Sequence, residues 1–153
     1  MKQSLSKYLA TVLAGAACIA TAPASAQFSR AEDAIKYRQS AFFVMSNQMG
    51  RLAAMAQGKA PFDAAVAQAA ARTVDTLAHL PWDAFPPGSN TGAAKVKGDP
   101  WKDADDFARL QQALKAQTGK LASAAGSLDS LRAQVGSTSQ ACRECHEKFR
   151  QVR

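Results

Sequence analysis

Aromatic residues are scarce, at 7% of 153 positions, and there are only three cysteines. So few cysteines exclude a scaffold built on disulfides. No strand candidate stands out either. The apolar content of 47% leans on alanine, which favours helices and excludes a β-sandwich. A bilayer-spanning segment is also missing, because the uninterrupted small and apolar run from Leu9 to Ala20 covers about 12 residues where a spanning helix needs roughly 20. Charge is present in excess of one sign, with 19 Lys and Arg against 12 Asp and Glu and a formal charge of +7. The excess is scattered and forms no basic stripe, so it reads as solvated surface and no nucleic-acid partner is expected.

The short apolar run has another use. Lys2 and Lys7 precede it, and Ala24-Ser25-Ala26 follows as an A-x-A cleavage site ahead of Gln27. Residues 1–26 therefore read as a cleaved secretory signal, and 27–153 as a single exported domain expected in the periplasm, with no membrane attachment after cleavage. A lipoprotein signal through Cys18 is the rival reading, but Gly15 stands where a large aliphatic residue is expected.

Four helices are expected in the remaining chain. Ser29-Arg30-Ala31-Glu32 has capping-box spacing, and Ala34, Tyr37, Ala41, Met45, Met49, Leu52 and Met55 form the stripe behind it, up to Gly58. A second helix opens at Pro61, with Phe62, Val66, Ala69, Thr73, Leu77 and Leu80 as its stripe, and stops at Pro81. The Pro- and Gly-rich stretch 81–100 is a long connection with a role beyond connecting. Asp99-Pro100 caps a third helix whose face is Trp101, Ala104, Phe107, Leu110, Leu114, Thr118 and Leu121. Ser127 caps a fourth, in which Leu128, Leu131, Val135, Cys142, Cys145 and Phe149 hold one phase across Gly136. Two short connections and one long one predict an all-α, antiparallel four-helix bundle.

The last helix carries Cys142-Arg143-Glu144-Cys145-His146. C-x-x-C-H attaches haem c: each thiol adds across a vinyl group and the adjacent His supplies the proximal iron ligand. Positions i, i+3 and i+4 of a helix share a face, so both sulfurs and the imidazole reach one porphyrin. The competing chemistries fit less well. A redox dithiol would sit near a βαβ pattern, and zinc would need a fourth ligand; a plain disulfide beside a surface His is the bland reading. After His146 the chain offers neither Met nor His, so a sixth iron ligand comes from upstream or does not exist. His79, at a helix end before Leu80-Pro81, suits the C-terminal dipole better than iron. Met45, Met49 and Met55 at helical spacing read first as core, and each is also an axial-ligand candidate.

A C-terminal C-x-x-C-H on the last helix of an exported bundle resembles cytochrome c′. The segments Glu32 to Ala41 and Leu80-Pro81-Trp82-Asp83-Ala84-Phe85 add to that resemblance, which covers residues 27–150. It implies a haem, placed in the bundle core, that is high-spin and five-coordinate through His146, with an apolar distal pocket admitting NO and CO. By the same resemblance Phe42 packs over the open iron face, Arg38 and Gln39 contact the haem propionates, Trp82 and Phe85 line the haem edge, and Arg150 is the basic residue one turn past the proximal His. Lys95 and Lys97 are further propionate candidates. The resemblance also implies a homodimer through the first two helices, to which Phe43, Met49, Leu52 and Phe62 lend apolar surface, and a redox partner that it does not name. A low-spin electron carrier with Met45 as sixth ligand is the alternative. An enzyme is not expected, because a distal pocket of Phe and Met holds no acid–base pair.

Overall fold

The computed structural model describes residues 27–151, so the expected export signal lies outside the described residues. Four helices dominate it: α1 (Ala31–Ala56), α2 (Ala64–Leu77), α3 (Ala104–Ala124) and α4 (Leu128–Phe149). They pack in a ring, α1 on α2, α2 on α3, α3 on α4 and α4 on α1. Side chains record the antiparallel sense. Arg132, at the start of α4, donates from Nε to the Ala56 carbonyl at the end of α1 over 2.9 Å. Lys148, at the end of α4, meets Asp106, at the start of α3, at 2.7 Å.

The helix starts differ from expectation at three of four places. The capping box of Ser29 and Glu32 does not form, because the N-cap falls on Arg30, whose guanidinium instead pairs with Asp33 at 3.0 Å. Pro61 and Phe62 precede α2, whose cap is Asp63: its Oδ1 accepts from Val66 N at 3.0 Å. Asp99-Pro100 opens a turn rather than α3. Lys102 N donates to the Asp99 carbonyl at 2.9 Å, which leaves Trp101 outside the helix, and α3 begins only after Asp103. Ser127 does cap α4, accepting from Ser130 N at 3.3 Å, and α4 runs through Gly136 unbroken.

The core also corrects the reading of α2. Its buried face is Ala67, Ala70, Ala71 and Val74, continued by Ala78 just past the helix end; Val66, Ala69, Thr73 and Leu80 point outward. A buried alanine contributes far less than a leucine, roughly one methyl against 1.5–3 kcal/mol. Its small size lets neighbouring helices approach the α2 backbone, while Leu52, Leu121 and Leu131, all fully buried, supply the bulk. Leu52 is therefore core and cannot serve an outer face.

The long crossover between α2 and α3 folds back along the bundle through two short 3-10 turns, Trp82–Ala84 and Gly92–Ala94. Val96 then forms a single antiparallel bridge with Arg150: Lys97 N donates to the Phe149 carbonyl at 3.0 Å, and Gln151 N to the Lys95 carbonyl at 3.1 Å. The crossover is thereby stitched to the end of α4. Among the described residues no helix is long and apolar enough to cross a membrane.

Candidate haem-binding site

Cys142 and Cys145 lie on the last two turns of α4 as half-buried free thiols. Cys142 faces the main core, which includes Met45, Leu114, Val135 and Ala141. Cys145 packs against Phe107, Leu110 and Phe149. Burial pushes both thiols up; Cys145 reaches about 11, with Cys142 and Asp106 adding to the effect. Such thiols are protonated at neutral pH, the opposite of the low-pKa pair that a redox dithiol needs. Nor is there, among the described residues, any cluster of three or more His, Cys, Asp or Glu side chains able to hold a metal ion.

His146 stands at the exposed rim of the same helix, its Nδ1 3.5 Å from Nη1 of Arg150. Partial burial of the ring, and then the Arg150 charge, hold its pKa below the ordinary 6.5. The imidazole is thus neutral at pH 7, the form that can donate a lone pair to a metal.

Beside Cys145 the crossover and three helices assemble an aromatic wall. Phe107 is its hub, with ring centroids 5.0 Å from Phe85, 5.1 Å from Phe149 and 5.9 Å from Trp82. Trp82 stacks on Phe85 at 6.4 Å and meets Phe42 edge-on. Its indole N–H donates to the Ala78 carbonyl at 2.6 Å, which satisfies the one polar atom on this wall. Two free thiols, a neutral imidazole and a broad apolar aromatic lining fit a covalently held haem.

Arg38, at 2% exposure, projects from α1 under the crossover. Its guanidinium donates to the Ala84 carbonyl at 2.7 Å, to Ser89 Oγ at 2.8 Å and to the Ser89 carbonyl, and lies 4.5 Å from the Phe85 ring centroid. Burial brings its pKa down to about 10, which leaves it charged at neutral pH. Neutral oxygens thus take three of its five N–H groups. Gln39 donates from Nε2 to the Ala93 carbonyl at 2.6 Å, so two successive residues of α1 hold the crossover. Lys95 and Lys97 are exposed beside the end of α4, and Lys97 Nζ lies 3.5 Å from the Glu147 carbonyl. His79 sits exposed after α2, its Nε2 3.8 Å from Asp75.

The structure thus brings Arg38, Phe42, Trp82 and Phe85 to the side of the bundle that carries the two thiols. Ser89 was not legible as a member of this group. A serine between Gly88 and Asn90 reads as ordinary turn chemistry, and only the fold shows it fully buried.

Residues 33–150 match the family model described as Cytochrome C′. The chain belongs to the cytochrome c′ family. Crystallographic cytochrome c′ from Rubrivivax gelatinosus is 45% identical, with a TM-score of 0.77 over 82% of this chain and 100% of that one. A nitrosyl complex of a cytochrome c′ variant from Alcaligenes xylosoxidans is 41% identical, with a TM-score of 0.76 and coverage of 82% and 100%. A carbon monoxide-bound variant of the same protein gives 41% and 0.76 at the same coverage. As in other cytochromes c′, the cofactor is covalently bound haem c. Cys142 and Cys145 are the only cysteines among the described residues, and they supply its two thioether links.

Proposed function

We propose that this cytochrome c′ is a periplasmic protein that binds NO and CO at a five-coordinate haem, with His146 as the proximal ligand and Phe42 over the open face. The register of α1 against α4 carries this reading. From the contact between Arg132 and Ala56, fourteen residues along α4 is His146, and fourteen residues back along α1 is Phe42. Both helices rise 1.5 Å per residue, so an aromatic ring, not a ligating side chain, stands level with the iron-binding imidazole. Met45 lies about 4.5 Å further along the axis, buried in the main core. His79 is exposed and lies against Asp75 instead.

When bound, haem c supplies an iron site for a diatomic ligand. Around it, the residues described above do the rest. Cys142 and Cys145 anchor, and His146 offers its neutral nitrogen. Phe42, Trp82, Phe85 and Phe107 exclude water and anions, while Arg38 and Gln39 stand where propionate carboxylates would emerge. The nitrosyl and carbon monoxide complexes among the related structures support gas binding. The outward apolar residues of α1 and α2 support a homodimer through those two helices. Residues 1–26 support export.

The optical spectrum of the reduced protein with and without CO tests the reading. A high-spin spectrum that changes on adding CO is expected. A low-spin spectrum indifferent to CO would overturn it and install Met45 as the sixth ligand of an electron carrier.

A further inference from the structure

Ser89 is fully buried between exposed Gly88 and half-buried Asn90, and both of its oxygens face one guanidinium. Nη1 of Arg38 donates to its Oγ at 2.8 Å and Nη2 donates to its carbonyl. The Ser89 N–H is taken by the Pro86 carbonyl at 3.1 Å, which closes the turn that carries the serine. The Ala84 carbonyl takes a second N–H of Nη1. These three contacts use three of the five donors of a guanidinium. Ser89 spans the end of the fork. The Nε–H and the second Nη2–H, side by side on the long edge, have no partner among the described residues. Two parallel donors in that arrangement accept a carboxylate bidentately.

We propose that Ser89 is a positioning residue for the cofactor: it grips the end of the Arg38 guanidinium so that the long edge meets a haem propionate. This rests on the reading that places the propionates at Arg38. One contact, to Ala84, would leave the plane of the guanidinium free to turn; the two from Ser89 fix it. Because Ser89 is neutral, it orients the charge without cancelling it, as a carboxylate in its place would. The oriented cation offsets the propionate charge near the iron and so favours the ferrous state.

Redox titration of the holoprotein tests this in Arg38→Gln, Ser89→Ala, Ser89→Thr and the Arg38→Gln/Ser89→Ala double variant, with amide hydrogen exchange over residues 84–93 as a second readout. Arg38→Gln should lower the midpoint potential. Ser89→Ala should lower it less, with amide protection retained because both backbone bonds of Ser89 remain. Ser89→Thr should restore it, and the double variant should match Arg38→Gln alone. An unchanged potential in Ser89→Ala, beside a lowered one in Arg38→Gln, would overturn the role of Ser89 and leave the propionate reading standing. Additive shifts in the double variant would overturn it too, as would a shift in Ser89→Ala accompanied by lost protection across the loop. An unchanged potential in Arg38→Gln would instead remove the propionate reading itself.

Discussion

Phe42 on α1 and Trp82 on the crossover meet edge-on, with ring centroids 5.8 Å apart. This contact closes the apolar wall at the level of His146. Phe42→Ala should open that level and speed CO and NO binding several-fold, at a cost of about 2 kcal/mol for a half-buried ring. Met45→Ala should leave the spin state unchanged. Stopped-flow mixing with CO and spectra of both variants check this pair of outcomes.

Arg38 is one of several residues that hold the crossover. Arg38→Met keeps the stem but strands the Ala84 and Ser89 oxygens in a buried site. A loss of ~3 kcal/mol is expected, since each abandoned acceptor bears its own desolvation penalty. Urea unfolding should show it as a lower midpoint, and a stability equal to that of the parent protein would mean that the crossover is held elsewhere.

The exposed large apolar residues among those described are Phe43, Val44, Val66 and Leu80, all on α1, α2 or just beyond. Phe43 is 72% exposed. Phe43→Glu would place a charge in the α1–α2 interface of the proposed dimer, where it has no partner. Sedimentation at micromolar concentration should then show monomer, and dimer for the unmodified protein. Indistinguishable masses would count against the interface.

Asp106 ties the start of α3 to the end of α4. Its hydrogen bonds from Lys148, and next from Arg109, hold its carboxyl below the ordinary 3.8. The folded state therefore binds that proton less tightly than the unfolded one. The contribution is present above pH 4 and is lost as the pH falls below that value, through the lower folded pKa. Thermal melts of the parent and Asp106→Asn should differ slightly at pH 7 and converge near pH 2. High salt should shrink the difference, because the pair is at the surface. A difference that persists at pH 2 would assign it to another cause.

Much of this molecule is readable from local pattern. C-x-x-C-H needs only helical spacing to bring two thiols and an imidazole to one face, and α4 satisfies that by itself. The phase across Gly136 predicts one continuous helix because an interior glycine costs about 1 kcal/mol, less than tertiary packing returns. The stripe of α3 from Phe107 to Leu121 was equally legible, since leucine and phenylalanine there have no competing face.

On α2 local pattern fails, because the helix has two apolar faces. Val66, Leu77 and Leu80 look more like a core than Ala67, Ala70 and Ala71 do. Hydrophobicity ranks side chains by size, whereas the core of this bundle selects small ones where neighbouring helices crowd in. Three of the four N-caps slipped by one to four residues for a related reason: more than one residue near each start can take the cap position, and the packing of the following turn chooses among them.

What the amino-acid sequence determined by itself is the helical content, the haem-attachment chemistry and the polarity of the chain around it, all carried by residues within a few turns of one another. The tertiary structure alone decided which face of α2 turns inward, that Phe42 stands level with His146, and that Ser89 grips Arg38 from 51 positions away. Contacts of that separation leave no periodic trace, because each depends on where two independent elements come to rest rather than on the spacing within either.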